Sequence, residues 1–207
     1  MSQITKIEKQ KNKNRVNIFI DGDFFCGLLT ETAVMFGLKV GTEISEQALL
    51  KIVRESEVKS AFAKASDIIS RRMHSAYELS KKLTNKGFEE QVVKEAIEKL
   101  KNYGYVDDLV FANEFVRQNK KYPSKMLEKK LFERGIDKAI VHEVLNDIDE
   151  SAEMELCKKC AEKYLKTHDI SKPGFKQKLY SSLIGKGFSF EMAKMIIEKM
   201  DIPAKFD

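Results

Sequence analysis

Near the N-terminus apolar and polar positions alternate. Val16, Ile18 and Ile20 interleave with Arg15, Asn17, Phe19 and Asp21. A period of two is that of a strand whose faces have different surroundings. Asp21-Gly22 is a turn signal, because glycine accepts positive φ without a steric cost. Phe24, Phe25, Cys26 and Leu28 then restart an apolar run, and Ile4 to Lys9 is placed to pair upstream across the polar loop Gln10 to Asn14. The pattern predicts a small antiparallel sheet over about residues 3–29.

Beyond it the period changes. Thr30 is the expected N-cap of a short helix ending at Gly37, and Ser45 of a second one carrying Leu49, Leu50, Ile52 and Val53. From there to the C-terminus the apolar residues recur at helical spacing. The strings LSKKLTNKGF, LEKKLFERGI and LYSSLIGKGF begin at Leu79, Leu127 and Leu179. Each has leucines four apart, glycine four further on, then Phe or Ile: Leu79/Leu83/Gly87/Phe88, Leu127/Leu131/Gly135/Ile136 and Leu179/Leu183/Gly187/Phe188.

The offsets of 48 and 52 residues are long enough for a supersecondary unit. Val92, Ile140 and Met192 follow, then Ile97, Leu145 and Ile197, then Leu100, Ile148 and Met200, all near one helical face. Each unit therefore reads as helix, glycine stop, apolar pivot, helix. The glycine suits the left-handed residue that ends many helices, where a Cβ is costly. Ser75-Ala76-Tyr77-Glu78 has the form of a capping box, and Pro123-Ser124 marks the corresponding entry in the second unit.

A further helix is expected before each pair, with apolar stripes of Ala61, Ala65, Ile68 and Ile69, then Val110, Phe111 and Phe115, then Leu156, Cys157, Cys160, Tyr164 and Leu165. The predicted fold is mainly α: tandem three-helix modules in an elongated array, preceded by a small antiparallel β-sheet extension. The predicted bounds are 1–56 for the extension, then 57–104, 105–148 and 149–207 for the modules. Repeat three has a long lead-in, Lys166 to Pro173. The glycine at Gly104 has no later counterpart, Ala152 and Ala204 standing in its place.

Composition narrows the function. Charged residues make up 33% of the chain with only three prolines, which favours amphipathic helices. No apolar run is long enough for a membrane span, and the lysine-rich start does not read as a signal peptide. Three cysteines make no disulfide framework, so a reduced, cytoplasmic setting is expected. Cys157 and Cys160 sit within a helical stripe with only His168 nearby, so core packing is favoured over zinc. Asp107-Asp108 reads as a helix cap rather than a metal site, and His74 and His142 lack a nucleophile at interpretable spacing. No phosphate-binding glycine loop occurs. No enzyme, cofactor or metal centre is expected.

The net charge of +5 leaves a solvated surface and contact with phosphates or an acidic partner both open. The candidate residues for such contact are Arg71, Arg72, Lys81 and Lys82 in the first module. In the second they are Lys120, Lys121, Lys125, Lys129, Lys130 and Arg134; in the third, Lys158, Lys159, Lys176 and Lys178. Lys125/Lys129 and Lys130/Arg134 are four apart and form a stripe, expected to be exposed on the middle helix of the central module. Tyr122 is a candidate for stacking on a base, with packing as the plainer role.

Several strings resemble the RecX family. Arg72-Met73-His74-Ser75 with Glu78-Leu79, Leu83 and Lys86-Gly87-Phe88 is similar to that family's first module. Gly104-Tyr105-Val106-Asp107-Asp108, followed by Phe111-Ala112 and Phe115-Val116, resembles its link into the second. Leu179, Leu183 and Lys186-Gly187-Phe188 resemble the third. The resemblance covers residues 58–201, and the N-terminal sheet is similar to an extension of some members. It implies a monomeric, cytoplasmic, nonenzymatic regulator in recombination, repair and the SOS response. Its implied partner is the RecA–single-stranded DNA filament, bound in the helical groove, with inhibition of recombinase, ATPase and co-protease activities. Direct binding of DNA by a helical repeat is the alternative.

Overall fold

A computed structural model describes residues 2–11 and 14–200. Ala204, named above as a repeat counterpart, lies outside the described residues, as does part of the loop Gln10 to Asn14. Contacts divide the chain into two compact units, 1–106 and 107–207.

The first unit opens with β1 (Ser2–Lys9), β2 (Arg15–Ile20) and β3 (Asp23–Leu29), all antiparallel. Asp21 and Gly22 join β2 to β3 with φ of +48° and +101°. Two successive positive φ values are the requirement of the tight hairpin turn whose twist matches its strands. The helix α1 (Thr30–Met35) follows. Its N-cap is Leu29, not Thr30, whose hydroxyl is buried without a hydrogen-bond partner. The Leu29 N–H is instead held by Ser56 Oγ at 2.7 Å. A short strand, β4 (Glu43–Ile44), pairs with the start of β1 and makes the sheet order β3-β2-β1-β4. Two residues are too few to show an alternating pattern, so β4 has no sequence signal.

Ser45 caps α2 (Glu46–Ile69) by accepting from the Ala48 N–H at 3.2 Å. Two helices were expected here and one continuous helix is found. Nothing between Ile52 and Ala61 breaks it, and its buried face passes from Leu49 and Ile52 under the sheet to Val58, Ala61 and Ala65 against later helices. Leu50 points away and is exposed. Then come α3 (Ala76–Thr84) and α4 (Glu90–Asn102). Ser75 Oγ accepts from the Glu78 N–H at 3.1 Å, as the capping-box spacing predicts. Leu79, Leu83, Val93, Ile97 and Leu100 close the core with Ala65 and Val106.

The second unit holds α5 (Asp108–Gln118), α6 (Ser124–Phe132), α7 (Lys138–Asn146), α8 (Glu150–Thr167), α9 (Phe175–Lys186) and α10 (Phe190–Lys199). Asp107 caps α5 through Oδ1, accepting from the N–H groups of Leu109 and Val110. The buried stripe of α5 is Phe111 and Ala112, with Phe115 beside it; Val110, expected in that stripe, is exposed. One apolar cluster joins α5 to Leu131, Ile136, Val141 and Val144. Another joins Cys157 and Ala161 to Phe175, Leu179, Leu183, Phe188 and Ile196.

The three repeats share one closure at the glycine, although α9 runs up to it and α3 and α6 stop two residues earlier. Gly87, Gly135 and Gly187 have φ of +88°, +69° and +103°. The next residue's N–H reaches back to the leucine carbonyl five residues earlier: Phe88 to Leu83, Ile136 to Leu131 and Phe188 to Leu183, at 3.1–3.3 Å. The glycine N–H donates to the carbonyl three residues earlier in every case. This paired closure satisfies carbonyls that would otherwise be left over at a helix end.

Candidate functional site

The turn between α2 and α3 carries Arg71 and Arg72, both exposed. Arg72 Nη1 donates to the Met73 carbonyl at 3.0 Å and lies 3.5 Å from Glu78 Oε2. His74 is buried beneath, its Nδ1 2.9 Å from the Arg72 carbonyl. Burial holds its pKa below the ordinary histidine value, and the nearby Arg72 and Lys82 charges add to that. On α3, Lys82 is exposed, and Lys81 Nζ sits 4.6 Å from the centre of the Tyr77 ring. Lys81, Tyr77, Lys94 and Lys101 line an open groove of about 500 Å³ along α3 and α4, with Glu90 and Glu98 interleaved with the lysines of α4.

In the second unit the predicted stripe is split. Lys125 and Lys129 are exposed one turn apart on α6. Lys130 and Arg134 are half-buried, a departure from the expected exposed face. Lys130 Nζ lies 4.8 Å from the centre of the Tyr122 ring, and the Arg134 guanidinium 4.5 Å from that of Phe115. Aromatic rings from α5 and the following loop draw these cations in, as a quadrupole attracts positive charge and the long stems cover apolar surface. Arg134 follows the end of α6 and donates to the Lys130 carbonyl at 2.8 Å. Lys121 Nζ approaches the same Tyr122 ring at 5.2 Å, and Lys120 is exposed beside it. Lys120, Lys121, Tyr122 and Lys130 thus form one cluster.

The entry to α6 shows what the sequence concealed. Its N-cap is Pro123, which offers no side-chain acceptor. Glu153, from α8, supplies one: Oε1 accepts from the Ser124 N–H at 3.1 Å and Oε2 from its hydroxyl at 2.5 Å. A carboxylate at a helix N-terminus satisfies a free donor and meets the positive end of the helix dipole. Ser124 and Glu153 share a groove of about 320 Å³ with Lys120, Tyr122, Leu127 and Leu156.

Along α8, Lys158 and Lys159 are exposed, with Lys159 3.6 Å from Glu155. On α9, Lys178 is exposed and Lys176 half-buried. Cys157 is fully buried in the apolar cluster, and burial pushes its thiol up to about 11. Cys160 packs beside it. His168 stacks flat on Tyr164 at 3.8 Å and hydrogen-bonds within its own turn. Among the described residues no group of three His, Cys, Asp or Glu side chains is placed to hold a metal ion. No helix among them is long and apolar enough to cross a membrane.

Of the candidate cations, Lys81, Lys121, Lys130 and Arg134 sit against aromatic rings, and the exposed lysines of α6 and α8 face solvent. Comparison with known proteins identifies the lineage. Family models described as the regulatory protein RecX N-terminal domain, the first three-helix domain of RecX and its third three-helix domain match residues 2–45, 61–100 and 151–197. The regulatory protein RecX of Bacillus licheniformis is 35% identical over 97% of this chain and 78% of its own. The chain belongs to the RecX family. The RecX of Clostridioides difficile is 33% identical over 97% of this chain and 96% of its own. A crystal structure of a regulatory protein RecX superposes with a TM-score of 0.73 at 27% identity, covering 96% of this chain and all of that one. RecX from Lactobacillus salivarius gives 0.63 at 25%, covering 71% of this chain and 98% of its own. The mainly helical fold with an N-terminal antiparallel sheet is therefore the RecX fold, and the relatives are named regulatory proteins.

Proposed function

We propose that this chain regulates recombination by binding the RecA–single-stranded DNA filament in its helical groove. Occupancy of the groove restrains filament extension, ATP hydrolysis and co-protease action, with no chemistry performed by the regulator itself. Membership of the RecX family is the observation that carries this reading. The exposed cations support it. Arg71 and Lys82 in the first unit, and Lys121, Lys125, Lys129, Lys158 and Lys178 in the second, offer positive charge to a polyanion or an acidic protein wall. The tandem modules at 57–104, 105–148 and 149–207 are the proposed segments of contact, acting as a monomer in the cytoplasm.

The deciding experiment measures DNA-dependent ATP hydrolysis by RecA with increasing regulator. Suppression at substoichiometric amounts is expected, because one bound molecule blocks a filament rather than a subunit. ATPase that stays unaffected at stoichiometric regulator refutes the reading. The alternative, direct action on naked DNA, draws on the Lys121–Tyr122–Lys130 cluster, where an aromatic ring sits among cations. Pulldown on RecA filaments against bare single strands separates the two.

A further inference from the structure

Two tyrosines in the first unit lie outside every candidate named from the sequence. Tyr103 and Tyr105 flank Gly104 at the end of α4 and are 67% and 61% exposed. Large aromatic side chains in an ordered turn are usually covered, since burying them is worth more than almost any other residue. These are held outward by the backbone. Gly104 has φ +72°, its N–H donates to the Lys101 carbonyl at 2.9 Å, and the Tyr105 N–H reaches the Leu100 carbonyl at 2.9 Å. The closure fixes the two residues on either side of the glycine.

The rings are also ordered against one another. Tyr103 and Tyr105 have centroids 6.0 Å apart, inclined at 37°. Phe62 of α2, half-buried, backs both: it meets Tyr103 edge-on at 5.9 Å and Tyr105 at 6.5 Å. Three rings in mutual contact on one apolar support make a pre-set aromatic surface with two outward rings. Lys99, one turn before Tyr103 on the same helical face, is exposed, and so is Asp107, two residues after Tyr105, whose Oδ1 is occupied in capping α5.

We infer that Tyr103 and Tyr105, backed by Phe62, form a stacking platform for unpaired nucleobases of a single strand, whose backbone passes Lys99. The inference deepens the proposed function, resting on single-stranded DNA being part of the partner. Aromatic faces accept any base, so the platform is indifferent to sequence, and Lys99 adds salt-dependent attraction to the backbone. A protein partner recognising charge alone would not need the ring faces.

The test is equilibrium binding of the full chain, by fluorescence anisotropy, to a labelled deoxythymidine oligonucleotide and to an abasic oligonucleotide of equal length. Stacking makes the parent bind the base-bearing strand at least about tenfold more tightly. The double variant Tyr103→Ala/Tyr105→Ala loses that preference, keeps the same salt slope, and binds the abasic strand as the parent does. Tyr103→Phe/Tyr105→Phe retains it, because the rings remain. Equal binding of the two strands by the parent overturns the platform without any variant, and so does an Ala variant, shown folded by circular dichroism, that keeps the preference. RecA ATPase suppression by the parent, measured in parallel, reports on the filament reading separately. Suppression without base preference removes the platform alone; base preference without suppression removes the filament reading alone.

Discussion

Replacing Gly187 by alanine perturbs two things, and Gly87 separates them. Both glycines close a helix with positive φ, +103° and +88°. Forcing an L-residue into that region costs about 1–2 kcal/mol. Alanine recovers about 0.4–1 kcal/mol by narrowing the unfolded ensemble. At Gly87 a Cβ would meet nothing within 4 Å, so the net cost is about 1 kcal/mol. At Gly187 the Cβ would stand 3.3 Å from the Met126 backbone nitrogen and 3.4 Å from its Cβ. The turn after α9 is seated on the first turn of α6, which cannot yield without shifting a helix. Overpacking of that kind adds about 1–3 kcal/mol, for a total of about 2–4 kcal/mol. In a unit of this size each kcal/mol lowers Tm by about 4–8 °C. Thermal unfolding followed by hydrogen exchange on α4 and α10 peptides assigns each loss to its own unit. Equal costs at the two positions would refute the close seating on Met126, and no cost at either would refute the left-handed closures themselves.

Three further outcomes are expected. Glu153→Ala should destabilise the second unit by about 1–2 kcal/mol, because the Ser124 N–H and hydroxyl lose their acceptors together, whereas Ser124→Ala keeps the backbone bond and costs less; thermal melts of the two variants should rank in that order. Burial lowers the pKa of His74, so its neutral form is favoured in the folded chain and the unfolded chain takes up the proton first. Its contribution is therefore full above the unfolded value near pH 6.5 and is lost as pH falls through and below it; the difference in Tm between parent and His74→Asn, followed from pH 8 to 5, should shrink on acidification. Lys125→Glu with Lys129→Glu should change stability by no more than about 0.5 kcal/mol, since both are exposed. It should weaken suppression of RecA ATPase, and if these lysines meet phosphates the salt slope on naked single strands should fall by about 0.7 per contact. Undiminished suppression would mark them as a solvated face.

The helical repeats were legible because their determinants are local. Leucines four apart, a glycine and an apolar residue fall within ten positions, and the hydrogen bonds that use them span five at most. All six repeat leucines are buried accordingly. The hairpin turn and the Ser45, Ser75 and Asp107 caps were readable for the same reason. What the pattern hid was mediated by distant chain. Thr30 looked like a cap, but Ser56, 26 positions later, holds the preceding N–H. The cap of α6 comes from Glu153, 29 residues away, and no spacing rule connects it to Ser124. Periodicity alone made Lys130 and Arg134 an exposed stripe; the rings of Tyr122 and Phe115 that cover their stems come from other elements. Tyr105 was read only as part of a family string and Tyr103 not at all, and it is Phe62, over forty residues earlier, that makes them a surface.

The uninterrupted run of α2 has a mechanical meaning. Its 24 residues make a strut about 36 Å long. One end, through Leu49 and Ile52, is bolted under the sheet. The other, through Val58, Ala61 and Ala65, is gripped by α3 and α4, with Arg54 tied to Glu95 between them. No break along it offers a hinge between the sheet and the far helices. Trimming the sheet away would leave half of that rod with a greasy flank in water. The extension and the first helical module are thus joined by one continuous helix within one compact unit, so neither can turn without the other.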